Sequence, residues 1–312
     1  MKPESKKKHI FGPVPSRRLG RSLGVDLVPY KTCSYDCVYC QIGRTTDITL
    51  KRAEWVSADA ILEELALRLD SKPDYVTLSG SGEPTLYSRL GELIRRIKRI
   101  TDIPVAVLTN GSLLWRVDVR RDLREADLVV PSLDAGRAET FARVNRPPPG
   151  LSYDFMLAGL VAFRDVFQGQ YWLEVLLVQG VNDSDEEIRA IADAAKRIRP
   201  DRVQLNTVTR PPAEGSMRPV TKQRIEELAG FFDPPAEIIA DFKEKPGADA
   251  RTAGDDAIIE MLLRRPCTLD DIAGGLGLHR NEIVKRLGKL EEAGEVEQAP
   301  SAGNMYYKVS GQ

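Results

Sequence analysis

From about residue 24 to residue 210 the chain alternates short apolar runs, rich in Val, Leu and Ile, with longer stretches whose apolar residues recur every three or four positions. The short runs suit strands buried on both faces, and the longer spacing suits helices that cover them, so the pattern predicts a parallel sheet with crossover helices. Six strands are expected, at 24–30, 75–79, 105–108, 128–131, 172–178 and 203–206, with helices at 58–69, 90–100 and 186–198, the last after the cap residue Ser184. Each strand leads into a segment that is polar or rich in Gly and Pro: a cysteine cluster, then 79–85, 109–111, 132–134, 179–182 and 207–212. In parallel βα folds such loops converge at the carboxyl ends of the strands, where sites form.

Residues 213–254 are rich in Pro, Gly and charge, with one helical stretch at 221–232, and read as a final helix, an edge segment and a linker. From residue 255 the rhythm changes. A helix at 257–263 is followed by the N-cap Thr268, a tight bend at Gly277, a helix at 280–293 and two extended stretches around Ala302-Gly303. This order predicts a small winged helix-turn-helix domain. The expected division is a basic N-terminal arm at 1–22, a core at 23–240, a linker at 241–254 and the small domain at 255–312.

Charge refines the picture only locally. Lys plus Arg is 45 against 46 Asp plus Glu, so the total gives no bulk attraction to nucleic acid or an anionic membrane. The arm carries seven Lys/Arg against one Glu, whereas the small domain carries seven against ten acids. Arg17, Arg18 and Arg21 suit a phosphate or carboxylate, or ion pairs with acids of the core. Arg280, Lys285, Arg286 and Lys289 suit either a nucleic-acid grip or a protein or peptide dock. No apolar run approaches the roughly 20 residues of a membrane span, and the start has no signal-type apolar region, so a cytoplasmic location and no membrane partner are expected.

Of four cysteines, Cys33, Cys37 and Cys40 fall within eight residues and Cys267 stands apart, beside the start of a helix. That is no disulfide framework for a chain this long. The two histidines, His9 and His279, lie far from the cluster in sequence, which leaves zinc short of a fourth ligand. Three thiolates can instead hold three corners of a [4Fe-4S] cube and leave the fourth iron open.

Cys33-Ser-Tyr-Asp-Cys37-Val-Tyr-Cys40, placed after the first strand of a βα unit, resembles the CxxxCxxC signature of the radical S-adenosylmethionine superfamily. Ser79-Gly-Ser-Gly-Glu-Pro84 is similar to the superfamily's Gly-Gly-Glu-Pro element. The resemblance implies a partial (β/α)6 TIM-like barrel, cluster ligands Cys33, Cys37 and Cys40, and Glu83 with the Gly82 loop holding the methionine ammonium. It also implies Tyr39 and Gln41 near the adenine, while position at strand ends makes Ser132 and Asp134 candidates for the ribose or methionine carboxylate and Asn110, Asn206 and Arg210 candidates to face cofactor or substrate. The orientation of Glu174 is not set by its period, and no catalytic residue is named.

Residues 11–24, Tyr39–Thr46, Leu133–Gly136 and Leu205–Pro212 further resemble short Fe-S oxidoreductases placed near the wyosine-type tRNA enzymes. The implied reaction uses an external one-electron reductant and reductive cleavage of S-adenosylmethionine to methionine and a 5'-deoxyadenosyl radical. A tRNA or other nucleic-acid base is the first substrate expectation. A peptide, with the small domain binding its leader, is the second, and an Fe-S-sensing DNA-binding regulator is the non-enzymatic alternative. The wyosine enzymes carry extra cysteines for a second cluster, whereas this chain has cysteines for one.

Overall fold

The computed structural model describes residues 9–240, 254–278, 280–301 and 304–311. The Lys-rich start, His279, Ala302-Gly303 and all of the expected linker except Gly254 lie outside them. The strands are β1 (Ile10–Ser16), β2 (Gly20–Asp26), β3 (Thr32–Cys33), β4 (Asp47–Ile48), β5 (Tyr75–Ser79), β6 (Val105–Thr109), β7 (Leu128–Pro131), β8 (Gln170–Leu177), β9 (Arg202–Thr207), β10 (Glu237–Ile238), β11 (Cys267–Thr268), β12 (Val296–Ser301) and β13 (Asn304–Val309). The helices are α1 (Ala58–Ala66), α2 (Leu90–Ile100), α3 (Val117–Leu123), α4 (Ala138–Val144), α5 (Tyr153–Arg164), α6 (Asp185–Ile198), α7 (Lys222–Ala229), α8 (Asp255–Leu262), α9 (Leu269–Leu276) and α10 (Arg280–Glu292). Among the described residues no helix is long and apolar enough to cross a membrane.

Among those residues, eight strands form one open sheet in the order β1-β2-β5-β6-β7-β8-β9-β10. All neighbours run parallel except β1, which pairs antiparallel with β2. Period-two alternation sorts the side chains onto two faces. Val76, Leu78, Val105, Val107, Val129, Tyr171, Leu173 and Val175 join the main core, with Ile61 and Leu65 of α1, Leu93 and Ile97 of α2 and Ile188 and Ile191 of α6. The opposite face carries a smaller cluster of Ala106, Leu128, Val130 and Trp172, completed by Leu19 from the turn between β1 and β2.

That turn revises the sequence reading. Residues 10–22, assigned to an arm, form β1 and the first residues of β2, and the first expected strand at 24–30 begins at Gly20 and ends at Asp26. Pairing with β1 draws the strand toward the N-terminus, and Gly24 permits it, because a Cβ there would lie 2.0 Å from the Phe11 ring. Prolines and arginines suggested exposure, but the apolar partners of the hairpin come from distant strands and leave no local period.

The C-terminal unit has its own core of Ile258, Leu262, Ile272, Ile283, Leu287 and Val296. Thr268 and Asp271 close a capping box at α9, and Gly277 at φ 65° ends it. Strands β12 and β13 pair antiparallel, and β11 adds to β13. The unit docks on the hairpin. Val14 packs against its core, and a Cβ on Gly275 of α9 would meet the Met261 side chain at 2.8 Å and Pro15 at 3.5 Å. Arg264 lies over the Phe11 ring and pairs with Asp26 at 3.1 Å, and the Tyr306 hydroxyl donates to the Thr209 carbonyl.

Candidate functional site

The loop after β2 is folded back on itself by the β3–β4 pairing and tightened by turns from Cys40 N–H to the Cys37 carbonyl and from Gly43 N–H to the Cys40 carbonyl. Its other edge is fixed to the end of α4, where Asp36 and Val38 N–H donate to the carbonyls of Asn145 and Val144. All three thiols are free and half-buried. Asn110 Nδ2 lies 3.5 Å from Cys33 Sγ, and Asn145 Nδ2 lies 3.4 Å from Cys37 Sγ. Burial, with Glu83 nearby, pushes the Cys33 thiol up to about 12. Metal binding there must displace protons.

Glu83 sits on the loop after β5 and is 2% exposed. Its Oε1 accepts from Thr85 N, Thr85 Oγ1 and Thr109 Oγ1 at 3.0, 2.6 and 2.6 Å, and its Oε2 accepts from Asn110 N at 2.7 Å. Burial raises its affinity for a proton, and these four donors oppose that. The residue before it is Gly for a steric reason: a Cβ on Gly82 would lie 1.9 Å from the Thr32 carbonyl oxygen. The missing side chain lets the Glu83 loop lie directly on the cysteine loop, and Glu83 N–H donates to that same carbonyl at 3.2 Å.

Asp134, also 2% exposed, accepts from the Tyr39 hydroxyl, from Asn145 Nδ2 at 2.8 Å and from Leu176 N–H at 2.9 Å. Burial outweighs these bonds and holds its carboxyl near 6. Tyr39 and Asp134 are thus brought together with each other, tying the cysteine loop to β8. Ser132 lies half-buried at the end of β7, opposite Glu174 across an isolated bridge. Gln41 is exposed and accepts from Arg210 Nη1 at 3.3 Å. Asn206 is buried between Arg17, which donates to its Oδ1 at 2.7 Å, and Glu174, which accepts from its Nδ2 at 3.0 Å.

Glu174, unassigned from its period, points to the Leu19 face, because its neighbours Leu173 and Val175 both join the helix-covered core. Arg18 reaches it at 2.6 Å. Burial by itself would raise the Glu174 carboxyl, but Arg18, Asn206 and Arg17 together hold it below the ordinary range. The signal for this residue was present as a single acid between two apolar neighbours; the signal for its partner was absent, since Arg18 is 156 positions away.

Between the hairpin, the cysteine loop and α8 lies a cavity of about 360 Å³. Tyr39, Cys40 and Gln41 line one side, Glu174 and Asn206 another, and Arg17, Arg18, Arg210, Arg264 and Arg265 a third. Cys33, Cys37 and Glu83 do not line it. Among the described residues no three His, Cys, Asp or Glu side chains are grouped to hold one metal ion. A donor set of three separate thiols on one loop fits a cluster in which each binds its own iron better than a tetrahedral single-ion site.

A family model described as the radical SAM superfamily matches residues 27–194. A protein of Brachyspira hyodysenteriae named GTPase Obg is 42% identical over 314 residues, covering 99% of this chain and 46% of that protein, so the chain spans about half of that relative's length. A UPF0026 protein of Methanocaldococcus jannaschii is 36% identical over 283 residues, covering 89% of this chain and 85% of that protein. The crystal structure of a radical SAM methyltransferase from Sphaerobacter thermophilus shares the fold, with a TM-score of 0.51, 18% identity, and coverage of 70% of this chain and 65% of that one. The family match runs from the cysteine loop across most of the sheet, and the chain belongs to the radical S-adenosylmethionine superfamily, whose cofactors are a [4Fe-4S] cluster and S-adenosylmethionine.

Proposed function

We propose that the chain is a radical S-adenosylmethionine enzyme of the cytoplasm that holds one [4Fe-4S] cluster through Cys33, Cys37 and Cys40 and takes electrons from an external one-electron donor. The observation that carries this reading is the contact between the two loops, where Gly82 seats Glu83 against the carbonyl next to Cys33. When bound, the cluster would supply one electron for the reductive cleavage of S-adenosylmethionine to methionine and a 5'-deoxyadenosyl fragment, and that fragment would take hydrogen from a substrate carbon. The protein's part is positioning and exclusion of water. In this reading Asn110 orients Glu83 and faces Cys33, and Asp134 fixes Tyr39 beside Cys40. The sheet is read as a partial (β/α)6 barrel and residues 255–312 as a winged helix-turn-helix domain.

A nucleic-acid base, the first substrate expectation, gains little from that domain. Arg280 pairs with Asp270, and Arg286 with Asp255 and Glu282, so two cations of the expected reading helix are already neutralised. Docking of the domain on β1 and on the loop after β9 makes it a wall of the cavity rather than a free reader.

Anaerobic reconstitution with iron and sulfide, reduction by dithionite and assay of 5'-deoxyadenosine tests the reading. A brown protein that cleaves S-adenosylmethionine is the expected result. Bound iron without cleavage would favour the Fe-S-sensing regulator, and no bound iron would overturn both.

A further inference from the structure

The arginine wall is the feature the cluster and S-adenosylmethionine leave unexplained. Arg18 and Arg210 are 9% and 12% exposed in their side chains, yet Arg18 Nη1 and Arg210 Nε are buried without a hydrogen-bond partner. Among the described residues Arg17 donates only to neutral oxygens, Asn206 Oδ1 at 2.7 Å and the Ile239 carbonyl at 3.4 Å. Burial, then the neighbouring charge of Arg210, brings the Arg17 guanidinium down to about 10 despite the opposing pull of Glu174, with Arg18 and Arg265 adding to the drop.

Among the described residues the acids facing this wall are already engaged. Glu174 takes Arg18 and Asn206, Asp26 takes Arg264, and Asp271 stands 3.6 Å from Arg210. Buried guanidinium groups with orphan donors are unstable unless an acceptor completes them. Their planar forks match carboxylate and phosphate oxygens, and a cavity of about 360 Å³ has the size of a small-molecule site.

We propose that the cavity binds a small-molecule substrate bearing an oxyanion group, phosphate or carboxylate, through Arg17, Arg18 and Arg210, with the rest of the molecule extending toward Tyr39 and Cys40. This rests on the radical-enzyme reading for the reaction, but the anion site itself does not require it. The hairpin turn therefore carries substrate recognition, and the C-terminal unit contributes Arg265 and closes the wall.

The test is anion binding by the full-length chain at constant ionic strength, with inorganic pyrophosphate and malonate as the phosphate and carboxylate probes. Titration calorimetry is compared between the wild type and R17Q/R210Q, each with and without the cluster. The wild type should bind one probe, which identifies the oxyanion. R17Q/R210Q should bind it at least tenfold more weakly while keeping the iron chromophore and S-adenosylmethionine binding. R17K/R210K, which keeps the charge and loses the fork, should fall between them. Without anion, R17Q alone should melt no lower than the wild type, because it removes a desolvated charge that has no ion-pair partner, whereas R210Q also takes the partner of Asp271 away.

Equal affinity in wild type and variant, or no binding of either probe by the wild type, would overturn the proposal. So would loss of S-adenosylmethionine binding in R17Q/R210Q, which would give the arginines to that cofactor's carboxylate, or a large drop in the melting temperature of R17Q without anion, which would make Arg17 structural. Binding by the iron-free chain separates failure here from failure of the radical-enzyme reading.

Discussion

At the cysteine-loop end of the molecule each buried acid is matched by donors, four for Glu83 and three for Asp134, and all of them come from the protein. Among the described residues the balance at the hairpin end is reversed: Arg18 and Arg210 keep orphan donors and Arg17 has neutral acceptors only. The first region is finished by folding, so its groups are held in place before anything binds. The second is left incomplete by folding, and a ligand of opposite charge would complete it. Preorganisation and recognition are in this way given to different regions, the first to the buried acids Glu83 and Asp134 and the second to the cavity lined by the arginines.

The comparison breaks most completely at the cysteines. Replacing Cys33, Cys37 and Cys40 together by Ala should abolish the visible iron-sulfur absorption and all S-adenosylmethionine cleavage without unfolding the chain; a variant that keeps either property sinks the cluster assignment. Next in size is Arg18→Met. It leaves Glu174 buried without its partner at 2.6 Å and should cost about 3–4 kcal/mol in denaturant unfolding. Arg17→Gln, which breaks no ion pair, should cost far less, and equal losses would erase the distinction between the two arginines.

Leu19→Ala tests whether the hairpin turn is a plug. Leu19 packs with Ala106, Leu128, Val130 and Trp172, and its truncation should lower stability by about 2–3 kcal/mol, whereas a surface arm would show almost no change. The smallest effect concerns Asp134. Its carboxyl is held near 6, above an unfolded value of roughly 4, so the folded state binds the proton more tightly. Stability from this group, up to about 3 kcal/mol, is present below the unfolded value and is lost as pH rises through about 6, about 2 kcal/mol of it between pH 4 and 7. Asp134→Asn should flatten that slope between pH 4 and 7, and an unchanged slope would assign it to another group.

Much of the fold was legible because its signals are local. Strands β5 and β7 fall where the apolar runs place them, and Thr268 and Gly277 mark the ends of α9 through chemistry that acts within one helical turn. Cys33, Cys37 and Cys40 were readable for the same reason, since their spacing is itself the signal. The Glu174 orientation and the Arg17 and Arg18 contacts were not, because each depends on residues 156 or more positions away.

By itself the sequence determined the alternation of strand and helix, the cysteine motif with its neighbouring Gly-Glu-Pro loop, and the break in rhythm at residue 255. Only the tertiary structure decided that the basic N-terminal segment is a hairpin whose turn enters the sheet, and that its arginines meet Glu174, Asn206 and the cysteine loop around one cavity. Charge and proline content describe how a residue prefers to be solvated, but burial is set by which distant strands arrive to cover it.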